Sequence, residues 1–171
     1  MFERAIRLLR HRWMDETHHL VGQDMLRRLK ERVALSESGH TGEIRICIES
    51  ALPNSYLLRP GPMRVITRQR ALSQFGKLHV WDTEHNNGVL IYLLLAEQTI
   101  ELVADRGLNH LVTSVDWQHI VQSLGEALRD NRVEDGLNQA VDTVTAVLVR
   151  HFPLSPGTVR PNELPDQPTL S

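Results

Sequence analysis

The chain has 171 residues, enough for one domain with a hydrophobic core. Hydrophobic residues make up 41% and charged residues 23%, and the formal net charge is −2, so no global positive field favours nucleic acid. The single cysteine, Cys47, excludes an internal disulfide and a cysteine-rich zinc module.

Residues 1–20 read as a basic amphipathic unit. Phe2, Ile6, Leu9 and Trp13 form one helical stripe over 2–16, with Arg4, Arg7, Arg10 and Arg12 beside it. Such a helix can pack on the domain, lie on an anionic membrane surface or dock on a partner protein. The arginines give way to no uncharged run of a secretory signal. The longest apolar run, 88–96, is far short of the roughly 20 residues needed to cross a bilayer. The expected location is the cytoplasm, with peripheral membrane contact open to the first helix.

A domain over 21–152 follows. The spacing predicts a helix over 23–37, with Met25, Leu26, Leu29 and Val33 buried. Residues 43–50 alternate: Ile44, Ile46 and Ile48 point one way and Arg45, Cys47 and Glu49 the other, a strand with one buried and one partly wet face. Pro53, Pro60, Gly61 and Pro62 mark a loop. A helix is expected over 64–78, with Val65, Ala71, Leu72 and Phe75 turned inward. Residues 81–87 form a polar loop ending in Asn86-Asn87-Gly88. The apolar run 89–95 reads as a central strand covered on both faces. A tight turn at Glu97-Gln98 returns the chain into a strand over 99–104. Helices are expected over 114–129 and 133–151. From Pro153 the chain carries five of its eight prolines and few large apolar residues, so 153–171 reads as a Pro-rich disordered tail.

This order predicts an α/β/α sandwich. Its short mixed sheet is a parallel β-α-β unit plus an antiparallel hairpin, flanked by helices. The hairpin sets Asp105 opposite Leu90. It therefore brings Asp105-Arg106-Gly107 to the sheet edge occupied by 81–88 and by Gly42-Glu43. Asp82, Glu84, Asn87 and Asp105 converge there as hard oxygen donors of the kind Ca²⁺ or Mg²⁺ takes. Asp82-x-Glu84 lacks the EF-hand pattern, and loop carboxylates are commonly plain solvated surface. Arg106 is a candidate anion contact, through a guanidinium that suits a phosphate oxygen, or else a surface ion-pair partner. Trp81 is expected to pack under the loop, with Gly88 and Gly107 structural beside it. The nine histidines do not cluster with zinc spacing.

Gly42-Glu43-Ile44-Arg45-Ile46, Trp81-Asp82 followed by Asn86-Asn87-Gly88-Val89-Leu90-Ile91, and Ile100–Ala104 running into Asp105-Arg106-Gly107-Leu108 resemble the TPM domain family over roughly residues 23–152. The resemblance implies an α/β/α sandwich, divalent-cation binding (often calcium) in loops at one sheet edge, and, for a plant thylakoid member, acid phosphatase activity. Bacterial members often sit beside membrane-associated proteins. Many members carry a signal peptide, a membrane helix and Gly-Tyr-Gly after the third strand. This chain shows neither segment and has Asp105-Arg106-Gly107 in that place. The expectation is thus a soluble TPM-like branch that binds Ca²⁺ or Mg²⁺ and meets a protein partner. The alternative is a metal-dependent acid phosphatase acting on phosphomonoesters through a metal-activated water.

Overall fold

A computed structural model describes residue 11 and residues 21–171, except 109, 114, 116, 118, 119, 123, 124, 126, 127, 129–131, 156 and 158–160. The basic helix expected over 2–16 and the helix expected over 114–129 fall wholly or partly outside the described residues.

A four-stranded mixed sheet organises the chain. Its strands are β1 (Ile44–Glu49), β2 (Val89–Leu94), β3 (Thr99–Ala104) and β4 (Thr169–Leu170), in the order β3-β2-β1-β4. β1 and β2 run parallel from Ile44↔Val89, and β2 and β3 antiparallel from Val89↔Ala104. The α/β sandwich with its parallel crossover and hairpin is therefore present. The hairpin register is not the expected one. A 3₁₀ turn at Leu95–Glu97 and a left-handed Gln98 make the connection longer than two residues. Asp105 then donates its N–H to Gly88 O (2.9 Å), two residues from the expected Leu90. A shift of two keeps every side chain on its face, so the register error leaves the sheet edge as expected.

The two faces of the sheet bury different material. Ile44, Ile46, Ile48, Val89, Ile91 and Leu93 pack against α1 (Gln23–Glu37) and α4 (Val133–His151) through Leu29, Val33, Leu137, Val141, Val144 and Leu148. Leu29 and Val33 belong to the stripe expected of α1. Arg28 and Glu134 tie α1 to α4 across solvent with a two-pronged pair at 2.6 and 2.7 Å. Cys47, Leu90, Tyr92, Leu94 and Val103 face Ile66 and Ala71 of α3 (Met63–Lys77), with Tyr56 and Leu57 of the short α2 (Asn54–Leu57) that folds inside the proline-marked loop.

Three expectations fail here for stated reasons. β1 is buried on both faces, because α3 and the last segment of the chain cover the side read as partly wet. Val65 and Leu72 of α3 are 43% and 49% exposed, while Thr67, Arg70, Ala71 and Gln74 turn inward. A helix that packs on a strand bearing Arg45 and Glu49 needs polar partners on its inner face. Residues 161–171 are not a disordered tail. They return along β1 and end in β4, which pairs Cys47↔Thr169 and Ile48↔Leu170 in parallel. Prolines are compatible with such an edge segment, which owes few ladder bonds.

Candidate functional site

The hairpin stitches two loops together at the end of the sheet. Gly107 donates its N–H to Asn86 O (2.9 Å), and Arg106 Nε donates to Asn86 Oδ1 (2.8 Å). Asn86 itself takes the left-handed conformation, which asparagine tolerates better than most residues. Both glycines are required at this seam. A Cβ on Gly107 would stand 2.5 Å from Asn86 O, and one on Gly88 would collide with the carbonyl oxygen of Val80.

Of the four residues expected to bind a metal, two are buried and two are not. Asn87 has no exposed surface and Asp105 is 8% exposed, whereas Asp82 and Glu84 are exposed. Asn87 donates from Nδ2 to Thr41 Oγ1 (3.2 Å), and its backbone N–H donates to Thr83 Oγ1 (3.1 Å). Asp105 Oδ1 accepts the N–H of Arg106 (2.7 Å). The second oxygens, Asn87 Oδ1 and Asp105 Oδ2, have no hydrogen-bond partner. Only one other buried side-chain nitrogen or oxygen among the described residues shares that condition, Arg45 Nε. A buried acceptor without a donor costs about 1–3 kcal/mol, so the two at this sheet edge are open to a water or a ligand.

Strand alternation sets Asp105 in phase with Gly88, and Asn87 one position out of phase with it. The edge is therefore no closed cage of the four expected donors. Among the described residues no three His, Cys, Asp or Glu side chains stand together as a metal would need. The donor set is nonetheless of the right chemistry for a hard cation, one carboxylate and one amide oxygen. The guanidinium of Arg106 is exposed beside them. Trp81 does not pack under the loop. It is 49% exposed and stacks at a tilt on His79 (5.9 Å), while Val80 is the buried anchor.

The opposite end of the sheet, beyond the carboxyl ends of β1 and β2, holds polar groups that sequence reasoning left unassigned. Glu49 accepts from Arg70 Nε (2.9 Å to Oε2) and Nη2 (2.5 Å to Oε1), and from Tyr92 OH (2.6 Å). Burial, then the charge of Glu49, pushes the Tyr92 hydroxyl pKa up, and the hydrogen bond to Glu49 holds the proton on Arg70 more tightly. With Tyr56, which also bonds Arg70, these groups leave none of their buried side-chain atoms without a partner. Nearby, His11 bridges Glu97 Oε1 (3.0 Å) and the N–H of Leu52 (3.0 Å). Because that N–H donates to Nδ1, the His11 proton lies on Nε2, toward Glu97. The one available signal for the Glu49 cluster was an acidic residue on the strand face that also carries Arg45 and Cys47.

With this geometry in view, a family-wide comparison matches the TPM domain over residues 15–147. The chain belongs to the TPM domain family. The TPM fold is also visible in solved structures. The chain is similar to the BA42 protein of the psychrophilic bacterium Bizionia argentinensis, with a TM-score of 0.70 and 21% identity over 88% of this chain and 94% of that one. It is similar to the N-terminal domain of a P. gingivalis protein with a TM-score of 0.55 and 21% identity, covering 78% of this chain and 81% of that one. At that identity the likeness speaks for the fold. No curated protein matches the chain. Among the described residues no helix of this TPM domain is long and apolar enough to cross a membrane.

Proposed function

We propose that this TPM domain binds a divalent cation, Ca²⁺ or Mg²⁺, at the sheet edge where the 81–88 loop meets Asp105. Asp105 Oδ2 is the anchoring ligand and Asn87 Oδ1 the second oxygen. Asp82 and Glu84 act from the exposed rim, where they hold the hydrated ion electrostatically. The observation that carries this reading is the pair of buried, unpartnered oxygens. With one carboxylate in the inner set, and with Asn87 and Asp105 out of phase, water supplies most of the ligands. The site is therefore weak, with a Kd on the order of a millimolar, as in low-affinity calcium modules.

Calorimetric titration of Ca²⁺ and Mg²⁺ into the wild type tests it, beside Asp105→Asn and Asn87→Ala. Asp105→Asn abolishes binding, and Asn87→Ala weakens it. Binding that survives both substitutions rules the site out. The exposed guanidinium of Arg106 beside Asp105 favours a second reading, hydrolysis of phosphomonoesters with the ion activating water. Release of phosphate at acidic pH that chelator and Asp105→Asn both stop would establish it.

A further inference from the structure

Residues 161–171 follow the outer edge of β1, and β1 holds them chiefly by their main chain. Glu43, with no exposed surface, accepts the N–H groups of Glu163 (3.1 Å) and Leu164 (3.3 Å). Arg45, 6% exposed, donates from Nη1 to the carbonyls of Pro165 and Gln167, the latter at 3.2 Å. Its Nη2 donates to Thr169 Oγ1 (2.8 Å). Strand pairing then takes over: Ser171 donates its N–H to Ile48 O (3.0 Å) and accepts the N–H of Ser50 (3.4 Å). Two side chains are anchors, Leu164 and the buried Pro168. Leu164 is 7% exposed and sits in the α3-side core. Upstream, Glu37 Oε1 accepts the N–H of Ile44 (2.8 Å) and closes the edge before the clasp begins.

A very short, proline-bearing segment is a common cover for a sheet edge. Here a carboxylate and a guanidinium are buried side by side to read N–H and C=O groups, which any extended chain offers. Backbone reading with side-chain pockets is how sheet edges take up peptides. The occupant is also short for a strand. β4 has two residues, against a usual length of about five or six, and short elements open locally without global unfolding.

We propose that the β1 edge is an acceptor site for an extended segment of a partner protein, and that residues 161–171 occupy it as a displaceable self-ligand. The partner segment carries a leucine for the Leu164 pocket and a proline four residues on, at the buried Pro168 position. It carries a serine or threonine at the Thr169 position, five residues on from that leucine. It pairs parallel to β1. The site does not rest on the cation reading.

The probe is a fluorescein-labelled peptide with the sequence of residues 161–171. It is titrated by anisotropy into the full chain and into the full chain carrying Leu164→Asp. An aspartate cannot enter the pocket, so the variant opens the edge and binds the peptide. The wild type binds it at least tenfold more weakly, because the tethered segment competes at an effective concentration on the order of a millimolar. Adding Arg45→Met to Leu164→Asp weakens binding at least tenfold again. A Leu164→Asp chain with the wild-type circular dichroism spectrum that does not bind, or equal binding to all three proteins, overturns the proposal. Should Leu164→Asp fail to fold, ¹⁵N-labelled wild type with excess unlabelled peptide decides. The 163–171 amide resonances move to released positions while Ile91 stays; an unmoved segment overturns the proposal. A wild-type dimer formed through exchanged 161–171 strands would make a second copy the occupant, and overturns the partner assignment.

Discussion

At the scale of single residues, two positions carry consequences that can be measured. Gly88 lies where the 81–88 loop crosses under the sheet edge, and a methyl group there runs into the backbone of Val80 rather than into a flexible side chain. Gly88→Ala is expected to cost about 1–3 kcal/mol of unfolding free energy, the range for forced overpacking. Urea denaturation reads this directly, and an unchanged midpoint would show that the seam can shift. The second position is Cys47. Burial, ahead of every other influence, pushes its thiol up to about 11 from an ordinary 9.0. The folded pKa is raised, so this contribution is complete below pH 9 and is lost as pH rises towards 11, where only the unfolded chain ionises freely. At about 1.36 kcal/mol per pKa unit, the loss reaches about 2–3 kcal/mol. Stability measured from pH 8 to 11 should therefore fall less steeply in Cys47→Ala than in the wild type. The slope is the readout, since the substitution also lowers stability at every pH.

At the scale of elements, what could be read depended on whether burial was apolar and local. α1, α4 and the β2–β3 hairpin follow from the periodicity of Leu29 and Val33, of Leu137, Val141 and Val144, and of residues 89–104. In each, the hydrophobic stripe is buried, with Ser36 and Glu37 added at the end of α1. α3 broke the rule because its inner face is built to meet Glu49 and the last segment. Arg70 reaches Glu49, and Gln74 Nε2 donates to Ser171 Oγ (3.4 Å). Those partners stand 21 and 97 residues away, beyond any window of local pattern. The same limit hid the strand at 169–170, whose attachment lies in Glu43 and Arg45. The sheet-edge site was legible as a meeting of two loops, because turn and strand periods fix it. Its division into buried Asn87 and Asp105 and exposed Asp82 and Glu84 was not, because carboxylate count says nothing of burial. The α3 result makes a paired prediction. Leu72→Lys, at a position 49% exposed, should leave stability within about 0.5 kcal/mol. Ala71→Leu, at its fully buried neighbour, should cost about 1–3 kcal/mol. Thermal unfolding of the two variants reads both. A large cost at Leu72 would return that residue to the inward face expected from the sequence, which Ala71 already occupies.

At the scale of the whole molecule, the proposed cation and the fold are separable. Two apolar layers, one under α1 and α4 and one under α3, sandwich a sheet whose strands are buried almost throughout. Hydrophobic burial on both faces supplies the folding free energy without help from the sheet edge. This differs from a small zinc module, where the metal is the core. Chelator should therefore leave a folded protein with one cooperative transition. Its dependence on denaturant should match that of the calcium-loaded form, because the same surface is exposed on unfolding. Calcium should add stability by mass action alone, about 2.7 kcal/mol at a hundred times its Kd. Asp105→Asn should show the chelated value at every calcium concentration, because it removes the one carboxylate among the two unpartnered buried oxygens. Asp82→Ala, on the exposed rim, should keep most of the gain. Denaturation across a calcium series in these three proteins separates the cases. Equal calcium stabilisation of wild type and Asp105→Asn would mean that the ion binds elsewhere, with the two cores and the hairpin unaffected.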